Sequence, residues 1–365
     1  MFLIITRTFP PDIGGMQVLM GGLSEVLLNH GPVKVFTFDH PDSNAYDKKS
    51  SINIERIKGI KLFRKYRKAN LVNDFIDKNS NIRAIVADHW KSLELINEQK
   101  LKKTKSICLL HSKEINHEKG SLLNKRLIRS TNKADFIVAN SNFTKKLANS
   151  VGNDPSKINV IFPGINKPEN IDNLSKNRAE EKFGNSFPRI ITVARLDKRK
   201  GHDKILMLIK NLKSKFPKIK YISVGFGDEE KNLFNLSKEL NLEKEVTFLK
   251  NIDFNFKNAL IAESNLYLMP SRIEKKSVEG FGISFIEAAS YGVGSIGGKD
   301  GGVPDAIDHK KTGLVCDGND LNSIYDSVLN FFQNENFIKY GKNAKEFSQN
   351  FYWDKVVKNY LKLIN

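Results

Sequence analysis

The sequence predicts an α/β protein built from two doubly wound parallel-sheet domains, and three observations predict it. Apolar runs of strand length recur along the chain, separated by stretches of helical periodicity, the pattern of a parallel sheet covered on both faces. The chain has 365 residues, enough for two ordinary domains with full cores. A polar stretch over 166–187 separates two such series and reads as linker and entry helix, so domains are expected over 1–165 and 166–350. A hydrophobic content of 40% without long polar tracts fits a globular protein.

In chain order, Met1-Phe2-Leu3-Ile4-Ile5-Thr6-Arg7 reads as a first strand; it lacks the basic flank of a secretory signal and meets two prolines too early for one. Gly14 and Gly15 follow it and precede a helical pattern from Met16 to Leu28, so they form either a loop that lets a phosphate approach or a plain tight turn. Val33–Phe38 and Ala84–Asp88 are the next strands. His89-Trp90 comes at the end of the second, where open α/β sheets hold ligands; an acceptor contact and a half-buried aromatic pair both stand. Residues 58–68 are the densest basic stretch. As a helix, they would put Lys61, Arg64, Lys65 and Lys68 on one face and Ile60 and Phe63 on another. That is either a solvated helix or one lying on anionic lipid, and Lys125-Arg126-Leu127-Ile128-Arg129 repeats the ambiguity. Ser106–His111 is a strand ending in a histidine. Phe136–Ser141 is another, with Ser141 or Asn142 as a helix cap, and Asn159–Ile165 closes the first series.

The second series opens with the stretch from Arg189 to Gly201, which begins as a strand. Arg195 leaves that strand and Lys200 precedes a helix, so a planar fork and a point charge can converge on a diphosphate. Lys198 and Arg199 read as surface charge. Tyr221–Val224 exits through Gly225-Phe226-Gly227, and Val246–Lys250 is a further strand. Asn265–Ser271 is an apolar run ending at Pro270. It leads to Glu279-Gly280-Phe281-Gly282-Ile283-Ser284-Phe285-Ile286-Glu287, with Phe285, Ala288 and Ala289 on one helical face. Glu279 thus sits in a loop and Glu287 about one turn inside the following helix. Gly280 and Gly282 let free N–H groups at the helix start, around Ile283, approach an anion. Two carboxylates beside an anion-binding helix end suit a ligand with both hydroxyls and phosphates, such as a nucleotide sugar.

These residues carry a resemblance. Glu279, seven residues and Glu287, with Gly-Phe-Gly after the first, resemble the donor-site motif of family 4 glycosyltransferases, retaining enzymes of the two-domain GT-B fold. Gly301-Gly302-Val303-Pro304-Asp305 and Phe9-Pro10-Pro11-Asp12-Ile13-Gly14-Gly15-Met16 fit the same family, closest to its phosphatidylinositol mannosyltransferase-like branch. The resemblance implies a donor domain over 166–350 and an acceptor-side domain over 1–165, to which helix 351–365 crosses back. It implies that Arg195 and Lys200 bind the donor diphosphate, that Glu279 holds a hexose hydroxyl and that Glu287 grips ribose hydroxyls. It places His111 at the donor sugar, Gly14 and Gly15 at the donor–acceptor cleft, Gly225 and Gly227 in the nucleotide pocket wall and Lys250 on the strand facing the base. Two departures are visible: Gly294 stands where a proline is usual, which would loosen that turn, and Asp305 where Glu is commoner.

The chemistry expected is metal-independent transfer of a hexose, from GDP-mannose or UDP-glucose, to a lipid or glycan acceptor, with no cofactor. A diphosphate leaving group needs cations and N–H donors more than a carboxylic acid. The two glutamates could also be read as a glycosidase pair, but the resemblance implies that Glu287, on its helix, grips ribose hydroxyls instead. No Asp-x-Asp occurs, so no metal clamp is expected. A nucleotide-sugar epimerase is the rival enzyme; an inactive sugar-nucleotide sensor would not need the full set His111, Arg195, Lys200, Glu279 and Glu287. A nucleic-acid-binding protein is disfavoured, because only Phe63 and Tyr66 interleave with the basic clusters. Two cysteines, Cys108 and Cys316, make no disulfide framework, so a reducing cytoplasm is the expected location. Of the net charge of +18, residues 1–165 carry 27 Lys and Arg against 15 Asp and Glu, and the rest 32 against 26. That asymmetry is either compositional bias or attraction of the N-terminal half to the anionic inner face of a membrane.

Overall fold

A computed structural model describes all residues, 1–365. They divide into two compact units, one of 1–166 with 351–365 and one of 167–350.

The first unit holds a seven-stranded, all-parallel sheet. Its strands are β1 (Phe2–Ile5), β2 (Val33–Phe38), β3 (Asn53–Ile57), β4 (Ala84–Ala87), β5 (Lys105–Leu110), β6 (Phe136–Ala139) and β7 (Ile158–Val160). The spatial order is β3-β2-β1-β4-β5-β6-β7, so the winding reverses between β1 and β4. Register pairs Ile5 with Ala87, which brings the ends of those two strands together. Every residue of β1 and β4 is buried, as central strands covered on both faces require. One face packs Leu3, Ile85, Cys108 and Ile137 against Val72, Ile76 and Leu127. The other packs Ile4, Val86 and Leu109 against Met20, Leu23, Val356, Val357 and Tyr360.

The last helix, Trp353–Ile364, therefore completes the first sheet's second face, although the whole second unit, 167–350, stands between Asn166 and Phe351 in the chain. Its anchor is Trp353. A Cβ on Gly22 would come within 2.2 Å of the indole and one on Gly164 within 2.4 Å, so both positions must lack a side chain.

The second unit holds a six-stranded parallel sheet, in the order β10-β9-β8-β11-β12-β13. The strands are β8 (Arg189–Val193), β9 (Lys220–Val224), β10 (Val246–Leu249), β11 (Leu266–Met269), β12 (Ser295–Gly298) and β13 (Gly313–Cys316). Winding reverses between β8 and β11. Its core joins Ile190, Tyr221 and Leu268 to Ile205, Leu212, Val328 and Phe331.

Two sequence expectations need correction here. Helix Lys61–Lys78 does not expose all four cations, because Lys68 is buried and its Nζ donates to the Thr6 carbonyl at 2.7 Å. Gly294 does not loosen its turn: a Cβ there would lie 2.9 Å from both the Phe331 ring and Tyr340, so glycine is what lets those side chains close over the turn. His89 and Trp90 are also both buried; His89 caps a short helix by accepting from the Lys91 N–H at 2.9 Å, and the Trp90 indole donates to the Glu114 carbonyl. Ser141 caps helix Asn142–Ser150 by accepting from the Thr144 N–H.

Candidate active site

Open α/β sheets collect ligands outside the carboxyl ends of their strands, where the winding reverses. In the second unit that point lies between β8 and β11, and there Lys200, in the loop after β8, meets Glu279, in the loop after β11. After β8 the chain runs through Arg195 into a single 3₁₀ turn, Lys198–Lys200, ended by Gly201 in the left-handed region (φ 78°). A Cβ on Gly201 would meet the Pro270 carbonyl at 2.4 Å, so glycine lets this loop lie directly on the end of β11. The same close packing holds the loop from its other side. A Cβ on Gly225 would sit 1.9 Å from the Ala194 carbonyl and one on Gly227 2.4 Å from that of Leu196. Both glycines thus serve the seating of the Arg195 loop.

Glu279 lies in the loop after β11. Its carbonyl accepts from the Gly302 N–H at 2.9 Å, and Gly301 (φ 74°) can approach because it has no side chain. Gly301-Gly302 therefore fixes the Glu279 backbone. The carboxylate, 13% exposed, receives two cations on the same oxygen: Lys200 Nζ at 2.5 Å and Arg199 Nη1. Burial alone would raise this carboxyl, but Lys200 and Arg199 outweigh it and bring it down to about 2. For Lys200 burial wins and its ammonium is lowered; Arg199, whose burial is offset by Glu279 and Asp197, is raised. The sequence reads Arg199 as surface charge. It is instead buried and bonded to Glu279, with its other arm 3.6 Å from Asp197. No spacing rule distinguishes it from Lys198 in a run of three cations.

Arg195 is different. Its side chain is 64% exposed, with only Asp197 near its guanidinium at 3.4 Å, so it is open to a ligand. Gly282 caps helix Ile283–Ser290 in the left-handed region (φ 95°) with no side-chain cap. Glu287 lies inside that helix, partly exposed, 3.7 Å from Lys257. Gly280 and Ile283 are half-buried beside them, whereas the Phe281 ring is buried in the core, which leaves only its backbone to meet a donor. Lys250 is exposed and paired with Glu230 at 2.6 Å.

In the first unit His111 follows β5, with Nε2 2.9 Å from the Asp88 carbonyl and its N–H donating to Glu114. Asp88, at the β1/β4 reversal, binds Thr6, the Arg7 N–H and Ser92. His111 also lies with Leu19, Asn140, Pro163 and Tyr360 around a crevice too narrow for a water molecule. Gly14 caps helix Gly15–Leu28, and a side chain there would strike Gln17; a Cβ on Gly15 would meet nothing within 4 Å.

Comparison with known proteins closes the question of family. Residues 13–167 match the model for Glycosyltransferase Family 4 and residues 175–351 that for Glycosyl transferases group 1. The chain belongs to glycosyltransferase family 4. This glycosyltransferase is 24% identical over 341 residues to a GDP-mannose-dependent α-(1-6)-phosphatidylinositol monomannoside mannosyltransferase of Mycolicibacterium smegmatis, covering 89% of this chain and 87% of that one. A Corynebacterium glutamicum enzyme acting on the monoacylated monomannoside is 23% identical, over 90% and 87%. Among solved structures, Anabaena HepE in complex with UDP superposes with a TM-score of 0.81 at 17% identity, covering 99% and 98%. Sucrose-phosphate synthase of Thermosynechococcus elongatus gives 0.78 at 19%, covering 99% and 97%. The fold of the glycosyltransferase is GT-B, with two parallel-sheet α/β units.

Proposed function

We propose that this glycosyltransferase transfers mannose or glucose with retention and without a metal, from GDP-mannose or UDP-glucose, to a lipid or lipid-linked glycan acceptor. One observation carries the reading: at the β8/β11 reversal, Arg195, Arg199 and Lys200 outnumber the carboxylates Asp197 and Glu279, which leaves a surplus positive charge. A sugar diphosphate supplies the missing negative charge, and its leaving group gains more as the glycosidic bond breaks. Cations placed where charge develops commonly contribute about 10²–10³ in rate each. Arg195 and Lys200 take the diphosphate, Glu279 a hexose hydroxyl and Glu287 the ribose. The placing of Gly14 and Gly15 at the donor rests on the family resemblance.

The mannosyltransferase relatives favour GDP-mannose, and the UDP complex of HepE keeps a uridine donor in view. Retention and the placing of His111 at the donor hexose rest on the family resemblance. A lipid acceptor is supported by the relatives' phosphatidylinositol substrates and by the surface of helix Lys61–Lys78. There, exposed Lys58, Lys61, Lys65 and Arg67 lie among exposed Ile60, Leu62, Phe63 and Tyr66. Such a surface suits reversible attachment to an anionic leaflet. No helix is long and apolar enough to cross a membrane.

The test is to incubate the protein with labelled GDP-mannose or UDP-glucose and an anionic lipid extract, with and without EDTA. Label should move to the lipid phase at the same rate in both arms, and the new linkage should keep the donor's anomeric configuration. Label found only in free hexose or in an epimerised nucleotide sugar would overturn the reading. Loss of transfer in EDTA that Mn²⁺ restores would overturn its metal independence.

A further inference from the structure

We infer that Arg199 is a positioning residue, the fixed counter-ion of Glu279, and that it frees Lys200 to leave Glu279 for the donor diphosphate. The inference rests on the donor reading above and names the device that site uses.

Glu279 and Lys200 are given two different ligand contacts, yet they bind each other at 2.5 Å. Both cannot be optimal together. When a diphosphate draws Lys200 away, a carboxylate only 13% exposed would be left beside two further negative charges. An uncompensated carboxylate in such a place takes up a proton, and a neutral Glu279 would hold a sugar hydroxyl more weakly.

The geometry supplies a second cation that need not move. Arg199 spans two carboxylates: Nη1 binds the same Glu279 oxygen as Lys200, while Nη2 faces Asp197 at 3.6 Å. Its main chain is held as well, since its carbonyl accepts from the Arg272 N–H at 2.9 Å. Arg272 is itself clamped by Asp203 through two hydrogen bonds of 2.9 Å. A planar guanidinium bonded to Glu279 at one end and facing Asp197 at the other, on a backbone pinned to the neighbouring loop, is held in place. Lys200 has a single rotatable ammonium and one carboxylate partner. Of the two, Lys200 is the one built to swing. With Arg195 counted, three cations face the two carboxylates Asp197 and Glu279, and the one positive charge to spare is the charge the diphosphate uses.

Proton uptake on donor binding tests this, read by titration calorimetry near pH 6 in two buffers of different ionisation enthalpy. The probes are GDP-mannose and UDP-glucose, whose diesterified diphosphates do not titrate there. The parent should bind one of them without taking up a proton. Arg199→Met should bind at least tenfold more weakly and take up a proton, because Glu279 loses its last counter-ion when Lys200 leaves. The uptake should vanish in the double variant Arg199→Met, Glu279→Gln, which assigns it to that carboxyl. Arg199→Lys should restore binding without uptake to within a few fold of the parent. If Arg199→Met does not fold, Arg199→Gln, whose amide can still donate to Glu279, takes its place with the same expectation. Parental affinity and no proton uptake in the neutral variant would overturn the inference and leave the donor reading standing. Failure of the parent to bind either nucleotide sugar would remove the donor reading itself, and this inference with it.

Discussion

Glu279 shows how a side chain's charge state is set by what surrounds it. Its carboxyl is held at about 2 against an ordinary 4.5, so the folded protein keeps the charged form more firmly than the unfolded chain does. The stability this contributes is fully present above pH 4.5 and is lost as pH falls towards 2. Glu279→Gln should therefore flatten the decline of melting temperature over that window. At pH 7 it should cost roughly 3 kcal/mol, the low end for breaking a buried pair, because about a tenth of each partner remains open to water. An unchanged acid slope in the variant would mean the pairing contributes nothing to folding. At this scale the sequence was informative where a residue type has few alternatives: Lys200 and Glu279, both picked out by motif position, meet at one strand junction. Arg199 and Lys68 were not legible. Both sit in runs of cations that read as solvated, and only tertiary contacts, with Glu279 and with the Thr6 carbonyl under the Phe38 ring, reveal that they are buried.

Helices and strands were legible where they carry apolar runs, as β1, β5 and β11 do. β12, Ser295-Ile296-Gly297-Gly298, carries almost no strand signal, since glycine is a poor strand former. Its glycines answer to close packing instead: a Cβ on Gly298 would fall 1.7 Å from the Ser271 carbonyl. The family resemblance sends the helix Trp353–Ile364 back to the first domain, but which residues its apolar face meets follows only from the fold. Trp353→Ala should destabilise the first unit by about 3–5 kcal/mol, the range for truncating a large buried aromatic, as read by denaturant unfolding. A loss below about 1 kcal/mol would mean the helix is not docked in solution. For helix Lys61–Lys78, replacing Lys58, Lys61, Lys65 and Arg67 by Ser should abolish salt-sensitive co-sedimentation with anionic liposomes, at roughly 1 kcal/mol per residue near the leaflet. Transfer to a short, soluble acceptor analogue should be unchanged. Sedimentation equal to the parent's would reduce the segment to a solvated helix.

Over the whole molecule, two sheets wound alike each place polar groups at their reversal point: Thr6, Asp88 and His111 on the first, Arg195, Arg199, Lys200 and Glu279 on the second. Alternation of strand and helix in the sequence implies this architecture, because a parallel sheet must be covered on both faces and its ligand edge follows from the winding. The identity of the acceptor has no such local code; it depends on surface shape and exposed charge, which spacing does not encode. The central claim is that the second unit binds a sugar diphosphate through Arg195 and Lys200. Calorimetric titration of GDP-mannose and UDP-glucose into the parent, Arg195→Ala and Lys200→Ala tests it most directly, with melting curves of the unliganded proteins run alongside. One donor should bind the parent, and each variant should bind it at least tenfold more weakly without loss of fold. Binding to both variants as tight as to the parent would contradict the account.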